Sequence, residues 1–142
     1  MALEIKTEIL INAPVSKVWK VLTSFGEYPR WNPFLTLLEG DPVEGGRISV
    51  TLSKMTFRPR VLAYRENSEF RWRGHLLMPG IFDGEHWFKL RETESGETML
   101  THGETFGGVL VPVFRSKLLG ETKTGFEAMN WALKTVAERE GN

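Results

Sequence analysis

Phe70-Arg71-Trp72-Arg73-Gly74-His75-Leu76, Phe82-Asp83-Gly84-Glu85-His86-Trp87-Phe88-Lys89-Leu90 and Leu100-Thr101-His102-Gly103-Glu104-Thr105-Phe106 decide the fold of this chain. Each stretch alternates, and in a strand successive side chains point to opposite faces. One face therefore carries Phe70, Trp72, Gly74, Leu76, Phe82, Gly84, His86, Phe88, Leu90, Leu100, His102, Glu104 and Phe106. That face is aromatic, gapped by glycine, and holds a few polar groups. It suits an enclosed ligand cavity better than a fully packed core.

Upstream, Ile5 to Ile11 alternates as a first strand. After Pro14, Val15, Val18, Trp19 and Leu22 recur at helical spacing, with Gly26 as the expected stop. Glu27 to Pro33 reads as a short helical turn flanked by prolines. Strands are predicted at about 34–40, 46–54, 56–66, 69–77, 81–94 and 98–107. Glu44-Gly45-Gly46, Asn67-Ser68, Met78-Pro79-Gly80 and Ser95-Gly96 supply turns. From roughly Val113 to Glu138 the period is helical again. Leu119, Thr122, Phe126, Met129, Leu133 and Val136 share its apolar stripe, with Lys123, Glu127, Lys134 and Glu138 off it.

The order is strand, helix, antiparallel meander, long helix. Only the last helix is large enough to cover the buried face of the sheet. The sheet must curl round it, and Gly74, Gly84 and Gly103 are where it bends most easily. Such a pairing leaves a space between sheet and helix. The class is α+β, as one domain over residues 1–142.

Eighteen basic and 18 acidic residues balance to zero formal charge. That gives no electrostatic case for nucleic acid or an anionic membrane. With no cysteine, disulfides, thiolate metal sites and Cys nucleophiles are excluded. The N-terminal residues lack a basic segment followed by an apolar one, so no secretory leader is expected. No apolar run reaches transmembrane length, so membrane insertion is not expected and the location is predicted to be cytoplasmic.

Ile9-Leu10-Ile11-Asn12-Ala13-Pro14-Val15-Ser16-Lys17-Val18-Trp19 resembles the opening of the START-like superfamily, also called SRPBCC. Tyr28-Pro29-Arg30-Trp31-Asn32-Pro33 is similar to the Trp-Asn-Pro element of its polyketide-cyclase/dehydrase-like branch. Phe70-Arg71-Trp72-Arg73-Gly74 and Gly125-Phe126-Glu127-Ala128-Met129-Asn130 resemble the same branch. The resemblance covers nearly the whole chain. It implies a helix-grip fold, with a curved antiparallel sheet around a long C-terminal helix. It says less about function, because members include lipid carriers, hormone receptors and aromatic cyclases.

A turn at Met78-Pro79-Gly80 sets Gly74 opposite Gly84 and Trp72 opposite His86. A three-residue loop before Thr98 sets Phe88 opposite Glu104 and Leu90 opposite His102. His86, His102 and Glu104 then form a polar cluster among aromatics. As an enzyme site it could abstract a proton next to a carbonyl, as cyclisation or dehydration requires. A hydrogen-bonded cluster that orients a ligand or satisfies the core is the favoured reading. Metal binding is disfavoured, because no closely spaced ligand motif supports it. The glycine pair Gly74/Gly84 bends the sheet, makes room, or does both.

Arg58, Arg60, Arg71, Arg73 and Arg91 fall mostly on the outer face, as a solvated set opposite Glu66, Glu69, Glu85 and Glu92. His75 is there too and is left out of the site. Outer Trp87 either meets a partner or packs beneath arginine side chains. Trp31, Asn32 and Phe34 are expected near the cavity mouth, and Trp19 in the core. Asn130 either faces the cavity or is an exposed helical residue.

The expected function is binding of a hydrophobic or aromatic small molecule, lipid- or polyketide-like, between sheet and C-terminal helix. The expected contacts are Trp31, Phe70, Trp72, Gly74, Phe82, Gly84, His86, Phe88, His102, Glu104, Phe106, Phe126, Met129 and Asn130. One alternative is an aromatic cyclase/dehydratase using His86, His102 and Glu104 as acid/base groups. Another is a co-chaperone-like interaction module. No cofactor or metal is expected, and the chain is expected to be a monomer or weak homodimer. Ser-His-Asp, Cys-His, P-loop and dinucleotide signatures are missing, which argues against common hydrolase, kinase and oxidoreductase chemistry.

Overall fold

A computed structural model describes residues 2–52, 54–76 and 78–139. The chain runs β1 (Leu3–Ile11), α1 (Val15–Thr23), a 3-10 turn (Phe25–Glu27), α2 (Tyr28–Trp31), β2 (Leu35–Glu39), β3 (Ser49–Leu52) and β4 (Met55–Phe57). It continues with β5 (Arg60–Arg65), β6 (Glu69–Leu76), β7 (Phe82–Glu92), β8 (Thr98–Gly107), α3 (Val111–Lys117), a π turn (Leu118–Thr122) and α4 (Lys123–Arg139). Five antiparallel strands lie in the order β1-β8-β7-β6-β5, and β2-β3-β4 form a second sheet. Backbone hydrogen bonds join the two, from Ile48 N to Pro59 O and from Val61 N to Gly46 O.

The alternation read from the sequence governs burial. Phe70, Trp72, His86, Phe88, Leu100, His102 and Phe106 are buried, while Arg73, His75 and Lys89 are exposed. Helix α4 packs on β1, β8 and α1, burying Phe126, Met129, Leu133 and Ala137. Its C-terminal end is pinned to the end of β1. Lys134 Nζ donates to the Leu10 carbonyl, and Glu138 accepts from Asn12 N–H and Lys134.

Buried apolar residues fall into two clusters. One joins Phe70, Phe88, Leu100, Met129 and Leu133 to Trp19 and Leu22 of α1. The other holds Leu3, Ile5, Phe106, Val111, Leu118 and Phe126. Phe34 touches both. His102 lies at the seam, with its ring 4.3 Å from Phe88 of the first cluster and 4.3 Å from Phe126 of the second.

Several expectations are corrected. The β6–β7 register is as expected, with Gly74 opposite Gly84 and Trp72 opposite His86. The β7–β8 register differs by two residues: His86 faces Glu104, Phe88 faces His102 and Leu90 faces Leu100. The tight loop is Glu94-Ser95-Gly96, closed by Thr93 N–H to Glu97 O, with Gly96 at φ 84°. A shift of two leaves every side chain on its expected face. The expected strand 56–66 is interrupted at Arg58-Pro59, because proline has no N–H for a ladder.

Helix α1 stops at Thr23, with Ser24 as its cap, and Gly26 lies within the following 3-10 turn. The hydroxyls of Thr23 and Ser24 turn back onto the Trp19 and Lys20 carbonyls and compete with further helix. Leu119 is exposed (44%), and Leu118 (5%) holds the buried position instead. The extra residue of a π turn rotates the stripe by about one position. Trp87 packs beneath the Arg71 guanidinium, 5.3 Å from its ring centroid, and over Gly103, where a Cβ would meet the indole at 2.7 Å.

Candidate functional site

The site grows from β7 and β8, whose inner positions carry His86, His102 and Glu104. Its hydrogen-bond directions can be read from one end. The Thr7 hydroxyl donates to the His102 carbonyl at 2.8 Å, since a carbonyl only accepts. Thr7 Oγ1 therefore accepts from Asn130 Nδ2, also at 2.8 Å. That orients the amide and leaves Asn130 Oδ1 facing His102 Nδ1 at 2.9 Å, so Nδ1 carries the hydrogen. His102 Nε2 is then an acceptor, and His86 Nε2, 2.8 Å away, donates to it. His86 Nδ1 lies 3.0 Å from Glu104 Oε1.

This row of side chains is enclosed by rings. His102 lies between Phe88 and Phe126, and Trp72 stacks on His86 at 4.6 Å. Burial, with His86 beside it, pushes His102 well below the ordinary histidine pKa range. His102 is thus a neutral link in the row.

Beside the row is a cavity of about 120 Å³. Trp72, Gly74 and Leu76 of β6, Phe82, Gly84 and His86 of β7, and Glu104 of β8 form one wall. Phe34, Leu35, Val50, Leu52, Phe57 and Pro59 form the other, and Thr122 of the π turn contributes from the helix. The walls are mostly apolar, with Glu104 and His86 together at one point. A cavity of about 150 Å³ holds benzene, whereas pockets for drug-sized ligands run to roughly 300–1,000 Å³. At about 120 Å³ this cavity is somewhat below the first figure, so it takes a short alkyl group, or one aromatic ring with a small outward shift of its lining side chains.

The glycine gaps are not empty. A Cβ on Gly84 would overlap Glu104 Oε2, and one on Gly74 would meet Pro59 Cβ at 3.3 Å. Gly84 lets the Glu104 carboxyl lie flat across the sheet beside the cavity. The room expected from the glycine pair is thus used largely by the chain's own Glu104 and Pro59.

Of the residues expected to meet a ligand, Trp72, Gly74, Phe82, Gly84, His86 and Glu104 line the cavity. His102 and Asn130 lie behind His86 in the hydrogen-bonded row. Phe70, Phe88, Phe126 and Met129 are fully buried core, and Phe106 stacks on Phe82 at 5.7 Å. Trp31 borders a different groove, with Lys17, Lys20 and Arg139. Asn32 is buried beneath the loop into β2, its Oδ1 accepting from the Phe34 and Leu35 N–H groups. Exposed His75 borders the cavity although its face points outward. The wall from β3 and β4 went unread. Its one signal, apolar alternation at Val50 and Leu52, is short and broken by Pro59.

Among the described residues, no group of three His, Asp or Glu side chains is arranged to hold a metal ion. The facing Nε2 atoms of His86 and His102 bond each other. Among the described residues no helix is long and apolar enough to cross a membrane.

Known folds of this shape are numerous. A protein from Mesorhizobium loti, MLL2253, is similar over 96% of this chain and 98% of its own, with TM-score 0.76 and 22% identity. The Zhui aromatase/cyclase from Streptomyces sp. R1128 is similar over 100% and 97%, with TM-score 0.74 and 16% identity. Norcoclaurine synthase from Thalictrum flavum is similar over 100% and 98%, with TM-score 0.77 and 13% identity. No curated protein sequence matches. At these identities the likeness establishes the helix-grip fold alone. The family described as "Polyketide cyclase / dehydrase and lipid transport" matches residues 2–138. This chain belongs to that polyketide cyclase/dehydrase and lipid-transport family.

Proposed function

We propose that this protein binds a hydrophobic or aromatic small molecule, with one ring or apolar end in the cavity between its two sheets and the C-terminal helix. The observation that carries the reading is the cavity itself, walled by Trp72, Phe82, Leu52, Val50 and Phe57, with Glu104 and His86 side by side at one point and His75 and Thr122 as the other polar side chains lining it. Burying one ring in such a wall is favourable at about 25 cal/mol per Å² of apolar surface. A larger lipid- or polyketide-like ligand would seat one end here and leave the rest toward solvent. The family description and the aromatase/cyclase with a similar fold support this ligand class.

A second reading is proton transfer to or from the ligand, as cyclisation or dehydration needs. It is favoured by the His86 Nδ1 to Glu104 Oε1 contact of 3.0 Å at the cavity wall. Binding without chemistry remains the preferred reading, because the same polar pair also satisfies a buried row.

Titration with an environment-sensitive apolar dye tests the proposal. The folded protein should bind it. Gly84→Leu, which fills the cavity and displaces Glu104, should weaken binding at least about tenfold while keeping a cooperative thermal transition. Dye that binds only the denatured chain, or binds Gly84→Leu equally, would overturn the proposal.

A further inference from the structure

The row of hydrogen bonds ending at Glu104 has a fixed direction, and that direction specifies the ligand. Every donor points away from Glu104: His86 Nε2 to His102, His102 Nδ1 to Asn130, Asn130 Nδ2 to Thr7, and Thr7 to the His102 carbonyl. The carbonyl cannot donate, so the row cannot reverse. A second hydrogen on His102, at Nε2, would turn His86 to its other tautomer and place a cation between the Phe88 and Phe126 rings, which burial opposes.

One place for a proton remains, the 3.0 Å gap between His86 Nδ1 and Glu104 Oε1. With no proton there, two lone pairs would face each other. The pair thus holds one proton, written either as neutral imidazole with carboxylic acid or as imidazolium with carboxylate. Its net charge is zero in both forms.

The other oxygen, Oε2, lies over Gly84 beside the cavity and takes no hydrogen bond from the described residues. In both forms of the pair it is an acceptor. The described residues lining the cavity include no lysine or arginine, and His75 is the one other titratable side chain among them.

We propose that the site selects a neutral ring bearing an O–H or N–H donor, such as a phenol or enol, which bonds Glu104 Oε2. This rests on the binding reading above. A ligand carboxylate would set acceptor against acceptor at Oε2, with no lysine or arginine among the described lining residues to balance it. A ligand ammonium would find a pair with no net charge. Asn130 and Thr7 are positioning residues: they fix the His102 tautomer, and through His86 they hold the shared proton between His86 Nδ1 and Glu104 Oε1.

Toluene, p-cresol and p-toluate, each one ring in size, are titrated calorimetrically against wild type, Glu104→Gln and Glu104→Met. Gln can donate its N–H to His86 Nδ1 and present its carbonyl to the cavity, so it keeps the acceptor. Met keeps the length and removes it. The ratio of p-cresol to toluene affinity should fall about tenfold in Glu104→Met and stay within about twofold in Glu104→Gln. The p-toluate anion should bind wild type more weakly than p-cresol. Histidine ¹⁵N spectra of wild type should show His102 protonated at Nδ1 and bare at Nε2, a readout that needs no variant to fold.

An unchanged ratio in Glu104→Met, with toluene still bound, would overturn this inference and leave the binding reading standing. So would an equal loss in Glu104→Gln, p-toluate binding as tightly as p-cresol, or a hydrogen on His102 Nε2. Binding of none of the three probes to wild type would overturn the cavity reading and this inference with it.

Discussion

Asn130→Leu is the sharpest perturbation of the buried row. Asn130 is 2% exposed, accepts from His102 Nδ1 at 2.9 Å and donates to Thr7 Oγ1 at 2.8 Å. Leucine repeats the branched skeleton of asparagine with bulkier methyl groups, so no cavity is left. It strands the His102 Nδ1–H among aromatic rings, at about 1–3 kcal/mol for a buried unsatisfied donor. Thr7 keeps its bond to the His102 carbonyl and loses one neutral bond, about 1 kcal/mol. The sum is about 2–4 kcal/mol, or roughly 5–15 °C in Tm for a domain of this size. Urea unfolding of wild type and variant measures it. Trp131→Ala, one position along and 62% exposed, serves as control and should change stability by about 0.5 kcal/mol or less. Equal effects at Asn130 and Trp131 would refute the row as described.

Other expectations concern packing and acid. Phe126→Ala should cost about 3–5 kcal/mol by denaturation, because its fully buried ring packs on both Phe34 and His102. Leu118→Ala should cost about 2–4 kcal/mol and Leu119→Ala about 0.5 kcal/mol or less; the reverse order would remove the π turn from the account. Folded His102 lies well below its ordinary value of 6.5, so below that pH the unfolded chain binds a proton that the folded chain does not. Stability should therefore fall on acidification, approaching about 1.4 kcal/mol per pH unit from this group. Urea midpoints at pH 7.5 and 5.5 that coincide would contradict its burial.

The inner face of the sheet was legible because alternation survives a register error of two, and the β7–β8 pairing shows this. Met78-Pro79-Gly80 set the β6–β7 register, whereas Glu94-Ser95-Gly96 and Ser95-Gly96-Glu97 are both plausible three-residue loops, and only the first puts glycine at the left-handed position. Thr7 was not singled out; His86, His102, Glu104 and, as one of two options, Asn130 were legible one by one. Their order was not, because Thr7 comes from β1 and Asn130 from α4, and no local pattern states which strand position meets which helical turn. The π turn escaped for a related reason. Leu118 and Leu119 are the same residue type, and only the packing of α3 on Phe82 and of α4 on β1 decides which is buried. The far wall of the cavity rests on β3 and β4, which were expected as strands, but no local pattern states that they fold over the inner face of the larger sheet.

The central claim is that a ligand ring sits between Trp72, Leu52 and Glu104. Intermolecular NOEs between toluene protons and ¹³C-labelled methyl groups test it most directly. The account predicts cross-peaks to Val50, Leu52 and Leu76, which line the cavity. Cross-peaks to Val21 and Val136, in the groove shared with Trp31, and none to the first three would contradict it.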